Sequence, residues 1–399
     1  MTKERPAAER PVNRLLPIEG LRAYLALWVL VNHVIFFSTL AFQDPLPDGD
    51  WRAQVRRLES GPLAVQVFMI ISGFVIFMLL DKRRETYAQF ITRRFFRLYP
   101  IYVLLLVVSV AAGAWRWETF VRLRQYMDPD AVAYFVRLTQ ATSNHWGSSL
   151  ALHLVMLQGL PHGAWLDGMT AYSFIISAWS ISVEWEFYLL APLIYFLLQS
   201  RAPLHRIGAW IGALFLFLAA RHFGYFTPNL LVYLPFFLLG VASYFGYKAL
   251  PATPANTMLP AALVLTVCFF LFCGHEQTLI PLLIWIPFWG LLCEPADSVS
   301  ARVAGVLFNN PVAQFLGTCS YGIYLCHELA VLVAQTVLLH VAPDLGPSGY
   351  FIALLALTLA GAILLAALLH YLVERPGMEL GRKLAAKMPG RRPAVASTK

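Results

Sequence analysis

Two side chains that apolar segments rarely carry, an arginine and a histidine, stand eleven residues apart in RLLPIEGLRAYLALWVLVNHV, residues 14–34. Eleven residues make slightly more than three helical turns and a rise of about 16 Å, so Arg22 and His33 leave nearly the same face of one helix. A guanidinium at one end of that stripe can guide an anion or polarise a carbonyl, and an imidazole farther along can take a proton near neutral pH. Polar groups in such a helix normally face a bundle interior or a wet cavity. Plainer readings stand beside this one. Arg22 also reads as a charge snorkelling to the membrane surface, and His33 as a contact between helices through Asn32 or a backbone carbonyl.

Other polar residues recur in apolar surroundings. AWSISVEWEFYLLAPL (178–193) carries Glu184 and Glu186, which two-residue spacing puts on nearly opposite helical faces, so they are not a paired-carboxylate site. Trp179 reads as an interfacial anchor, and Trp179 and Ser180 are candidates for contact with a substrate. LGTCSYGIYLCHELAV (316–331) places Ser320, Tyr324 and His327 about one turn apart. Helix–helix hydrogen bonding explains His327 as readily as chemistry does. His370 and Glu374 form an i,i+4 pair, structural or part of an inner entrance. His145, His153 and His162 lack the spacing of a metal site, and no metal is expected. Arg93, Arg94 and Arg97 offer planar forks that match phosphate oxygens two at a time. They also read as charges attracted to anionic lipid.

The elements that must position these residues are membrane helices. The chain has 399 residues, 59% hydrophobic and 13% charged, with mean hydropathy +0.63. Soluble domains carry about twice that charge. The expected fold is all-α, a polytopic membrane bundle of about ten helices near 21–42, 62–80, 98–114, 174–198, 208–220, 229–247, 257–274, 278–293, 311–340 and 350–373. The segment 81–100, which alternates basic and aromatic residues, reads as a helix lying on the inner surface. The run 150–160 is too short to span and reads as re-entrant or interfacial.

With the N-terminus inside, the outer loops hold only eight of the 30 lysines and arginines. That asymmetry predicts both termini in the cytoplasm. It also accounts for the net charge of +8 without nucleic acid. The first apolar run lacks a cleavage site and reads as an uncleaved anchor. Residues 1–13 form a polar cytoplasmic tail, 14–377 the membrane domain, and 378–399 a short basic tail. Five cysteines lie in or beside apolar runs with no CxxC pair, which suits small buried hydrophobes better than disulfides or zinc.

These segments, taken in order, resemble the acyltransferase-3 family of integral membrane acyltransferases. EGLRAYLALWVLVNH resembles the family's arginine–histidine signature, and VQVFMIISGFVIF its serine-glycine-phenylalanine motif around Ser72. FITRRFFRLYPIY contains an RxxR pattern at Arg94 and Arg97. WSISVEWEFYLLAP, LGTCSYGIYLCHE and HYLVERP resemble three later motifs. The resemblance covers roughly residues 14–377. Where the family often has glutamate then glutamine after the valine, this chain has Glu184, Trp185 and Glu186. The tryptophan-proline that often follows the ninth-span histidine is absent, and no hydrolase-like outer domain is expected.

The resemblance implies transfer of an acyl group, often acetyl from acetyl-coenzyme A, to a hydroxyl of a glycan or small molecule. It implies His33 and Arg22 as the catalytic pair and Arg94 and Arg97, with Arg93 beside them, as donor-binding residues. Acyl-coenzyme A is then a co-substrate, with no tightly bound cofactor. His33 would be the base, because an alcohol needs one and a thiol leaves unaided. An acyl-histidine intermediate is the other route. Arg22, Asn32, Ser72 or backbone donors would stabilise the oxyanion, and Glu184 would orient His33 or bind the acceptor. Ser72, Trp179, Ser180, Tyr324 and His327 complete the expected substrate site. The expected location is the inner membrane of a bacterium. A proton-coupled exporter using the same residues is the rival reading, and a non-catalytic scaffold is the third.

Overall fold

The computed structural model describes residues 15–38, 60–83, 85–126, 129–161, 168–199, 228–249, 279–294 and 298–390, with isolated positions between 202 and 212. Every regular element among them is helical. In chain order these are α1 (Leu16–Phe37), α2 (Gly61–Arg83), α3 (Tyr87–Ala111), α4 (Gly113–Leu123), α5 (Pro129–Asn144), α6 (Trp146–Leu154), α7 (Trp179–Gln199) and α8 (Leu230–Ala249). They continue with α9 (Leu279–Cys293), α10 (Val299–Phe308), α11 (Pro311–Thr318), α12 (Ser320–Val341), α13 (Pro347–Leu369), a π turn (His370–Glu374) and α14 (Arg375–Ala386).

Seven of the described helices are long and apolar enough to cross a bilayer: α1, α2, α3, α7 with its preceding turn, α8, α12, and the continuous run Pro347–Ala386. Large apolar side chains also face outward, among them Val107 at 60%, Phe196 at 58% and Leu364 at 65% exposure. That is the surface lipid tails would cover, and the chain is a multi-pass membrane protein. Of the expected spans, 257–274 and nearly all of 208–220 lie outside the described residues. The 278–293 span is a 15-residue helix, short for a crossing.

The expected surface helix over 81–100 does not exist as a separate element. Residues 87–111 form one helix, about 37 Å long. Its start is fixed by a capping box, in which Gln89 N donates to Thr86 Oγ1 and Thr86 N donates to the Gln89 side chain. The predicted ninth span is two helices separated at Cys319. The last span runs past 373, through the π turn, into α14. Cys293, Cys319 and Cys326 are buried, as small apolar side chains would be.

The chain folds as two compact units, Met1–Phe74 with Leu238–Ala366, and Val75–Phe237 with Ala367–Lys399. In the first unit α1 packs against α10, α11 and α12. Two motif glycines make this possible. A Cβ on Gly20 would strike the Phe308 carbonyl, and one on Gly317 would strike the Glu19 carbonyl. Gln314 secures the junction by donating to the carbonyls of Leu16 and Phe308 at 2.9 and 2.7 Å. Deeper in this unit, Gly322 lies against Ala366, and Gly240 against the backbone of Ile70 and Phe74.

In the second unit α14 packs along α3. Gly377 seats on the Pro100 ring and Gly381 on Phe96. Gln89 Nε2 donates to the carbonyls of Ala385 and Met388, both at 3.3 Å. The N-terminus of α8 meets a buried carboxylate, since Leu230 N donates to Glu186 Oε2 at 2.9 Å. Free helix-start N–H groups and the dipole both favour an anion there.

Candidate active site

In the first unit, α1 and α12 bring two histidines together. The rings of His33 and His327 lie 4.6 Å apart at their centroids, tilted by 56°. His33 Nδ1 donates to Val29 O at 2.9 Å and His327 Nδ1 to Ile323 O at 3.3 Å. A carbonyl can only accept, so each Nδ1 carries the hydrogen and each neutral ring keeps a bare Nε2. His33 is half-buried and His327 fully buried, and its Nε2 has no protein partner. One nitrogen of each ring and a Glu328 carboxylate oxygen lie within 4.8 Å of one another.

The surroundings follow from the helix faces. Asn32 turns to α2, where its side chain occupies the space a Cβ on Gly61 would need. Tyr324, one turn before His327, has its ring 6.1 Å from it and 6.2 Å from Phe68. Ser72 is buried on α2. Gln335 Nε2 donates to Phe37 O at 3.2 Å and ties α12 to the far end of α1. Arg22 pairs with Glu19 at 3.4 Å on the preceding turn.

The second unit holds the arginines, and it gives each a different partner. Arg93 meets Glu85 at 3.2 Å. Arg97 is paired with Glu374, whose other oxygen accepts from His370 Nδ1 at 2.9 Å. The π turn places His370 and Glu374 so, and such turns are frequent at functional sites. Arg94 has no acid partner among the described residues. Its guanidinium carbon lies 5.9 Å from the ring centres of both Phe90 and Tyr188, a geometry in which ring faces attract the cation.

Tyr188 links this arginine to the glutamate block, because its hydroxyl donates to Glu184. The Nδ1 partner of His33 is therefore the Val29 carbonyl, and the carboxylate of Glu184 is bound by Tyr188. Glu186 accepts from Ser182 and from Leu230 N, which makes it a structural cap. Trp179 lies against Tyr233, with ring centres 5.1 Å apart, and Ser180 Oγ donates to Ser177 O at 3.4 Å.

Of His145, His153 and His162, His153 is fully buried on α6. It donates from Nδ1 to Ser149 O at 2.8 Å. Burial pushes its pKa down to about 4, because the charged form loses its water. His162 lies outside the described residues.

Sequence reasoning missed Glu19 and Tyr188, although both were findable. They stand three and four residues from Arg22 and Glu184, the spacings at which helical side chains meet. Glu328 directly follows His327 in the chain. The Arg97–Glu374 pair joins distant segments and leaves no local pattern.

Comparison with known proteins agrees with the fold. The model of the family described as "Acyltransferase domain" matches residues 16–367. The chain is 26% identical to the peptidoglycan O-acetyltransferase OatA of Listeria monocytogenes over 82% of this chain and 51% of that protein. It is 28% identical to the acyltransferase MdmB of Streptomyces mycarofaciens over 51% of this chain and 44% of that one. It is 26% identical to the putative membrane-bound transacylase BcsY of Komagataeibacter xylinus over 92% and 84% of the two chains. The chain spans about half the length of the first two of these relatives. No solved structure matches. With the family model covering nearly all of its membrane helices, the chain belongs to the acyltransferase-3 family of membrane acyltransferases.

Proposed function

We propose that this protein transfers an acyl group, acetyl from acetyl-coenzyme A, to a hydroxyl of a glycan or small-molecule acceptor, with His33 as the base. The supporting observation is the state of that imidazole. Its Nδ1 is committed to Val29 O, so Nε2 carries the lone pair a base needs while the ring stays partly accessible. The relatives support the reaction class, since one is named a peptidoglycan O-acetyltransferase and another an acyltransferase.

In this reading the acceptor oxygen attacks the thioester carbonyl carbon as His33 Nε2 takes its proton. The C–S bond then breaks, and the thiolate leaves and regains that proton. Arg94 is the arginine best suited to the donor's phosphates, because Arg93 and Arg97 already hold carboxylates. Arg22, braced by Glu19, would steady charge on the donor's carbonyl end. The donor would approach from the cytoplasm, with both chain termini on that side, in a bacterial inner membrane. Ser72, Trp179, Ser180, Tyr324 and Glu184 are proposed to contact the acceptor or donor. Family membership does not favour the exporter reading.

The test is release of free thiol from acetyl-coenzyme A by the purified, reconstituted protein, measured with and without a glycan acceptor. Acceptor-dependent release that His33→Ala abolishes, in a protein that still inserts and folds, supports the proposal. Equal release by His33→Ala removes His33 from the base role. No release with any hydroxyl acceptor overturns the reaction.

A further inference from the structure

We infer that His33 does not work alone: His327 is its proton-sharing partner, and the two imidazoles hold one proton between them during turnover. The inference rests on the acyl-transfer reading above for its role in turnover, while the pairing itself rests on geometry.

Three observations carry it. Both rings spend their Nδ1 hydrogen on the carbonyl one turn back, Val29 O for His33 and Ile323 O for His327. In the neutral state both Nε2 atoms are then acceptors, and neither can satisfy the other. The rings are nevertheless held 4.6 Å apart. Second, His327 is fully buried with Nε2 unpartnered. A buried polar atom left so costs about 1–3 kcal/mol, and an orphan of this kind points to a group that arrives during function. Third, the two rings differ in access, since His33 is half-buried and His327 fully buried. The accessible ring meets the acceptor, and the enclosed one can only act through it.

A single proton resolves the arrangement. When His33 Nε2 takes the acceptor's proton it becomes a donor, and His327 Nε2 becomes its acceptor. The charge is shared, with the Glu328 carboxylate within 4.8 Å of a nitrogen of each ring. The proton then passes to the thiolate sulfur, and both rings end neutral. A second proton on the pair is opposed by like charge, so the two rings hold only one. Among the described residues, Glu328 and Tyr324 on α12 are the other titratable groups placed against the pair. His327 is thus a positioning residue for the base.

The experiment is nitrogen-15 NMR of histidine-labelled full-length protein in lipid nanodiscs across pH, for wild type, His327→Gln and His33→Gln. Two coupled titration steps in wild type, collapsing to one in either variant, are expected. A His33 signal that titrates identically in wild type and His327→Gln overturns the pairing, as does a stoichiometric bound metal ion lost in His327→Gln. In the thiol-release assay, His327→Gln should lower kcat about 10- to 100-fold, leave the donor KM unchanged and alter the pH–rate profile. A fall in kcat with an unaltered profile overturns the catalytic part and leaves a structural role. Wild type without transfer activity but with the two-step titration overturns the acyl-transfer reading alone.

Discussion

Arg97 and Glu374, from opposite ends of the second unit's sequence, form an ion pair whose acid is fully buried and also accepts from His370. A buried carboxylate stripped of its cation keeps the desolvation cost without the compensating attraction. Arg97→Ala or Glu374→Gln should each lower stability by about 2–4 kcal/mol, discounted because the Arg97 side chain is 20% exposed. Replacing both by Met and Leu should cost less than the sum. A double-mutant cycle read by thermal unfolding in detergent checks this, and additive losses would show that the two do not interact.

Arg94 differs from its neighbours because aromatic rings, not acids, hold it. If it receives the donor's phosphates, Arg94→Ala should raise the donor KM about tenfold or more with little change in stability. Arg94→Lys should rescue only part, because an ammonium lacks the planar fork. Arg93→Ala should mainly loosen Glu85. Kinetics with acetyl-coenzyme A against its phosphate-free pantetheine analogue separates these cases: the Arg94 defect should vanish for the analogue.

Gly317 is a close-approach residue. Its hydrogen side faces the Glu19 carbonyl, with no room for a methyl group. Gly317→Ala should force α11 from α1 and cost about 1–3 kcal/mol. Gly290→Ala, in α9 with nothing within 4 Å of the added carbon, is the control and should be neutral or slightly stabilising. Unfolding temperatures of the two variants decide it, and equal values would contradict the packing account.

His153 makes a pH prediction. Its folded pKa of about 4 lies below the ordinary 6.5. Between those values the unfolded chain binds a proton that the folded chain refuses. Stability is therefore unaffected above pH 6.5 and falls as pH drops toward 4, by on the order of 3 kcal/mol. His153→Gln should flatten that part of the stability–pH curve. Parallel curves for the two proteins would show that this imidazole does not govern it.

The apolar helices were legible from composition, because a bilayer imposes one length scale and one polarity on every crossing. The polar motifs were legible too, as breaks in that uniformity. What the sequence hid was how charges are cancelled. The basic and aromatic residues alternating over 81–100 suggested a surface helix, and Glu374, the partner of Arg97, is remote in sequence. The helix α3 continues through Pro100, with Gly377 seated against the ring. The pairing of His33 with His327 depends on the crossing of α1 and α12, which no spacing within either segment encodes.

The π turn at His370–Glu374 adds one residue to a helical turn. Everything downstream is consequently rotated by roughly 100° relative to an unbroken α-helix. The apolar stretch before it and the amphipathic stretch after it are thus read in two different angular frames. Without that phase offset, the glycines that nestle against Pro100 and Phe96 would swing away from α3, and the carboxylate would turn its back on the guanidinium. A single surplus residue sets the bearing of the whole C-terminal rod.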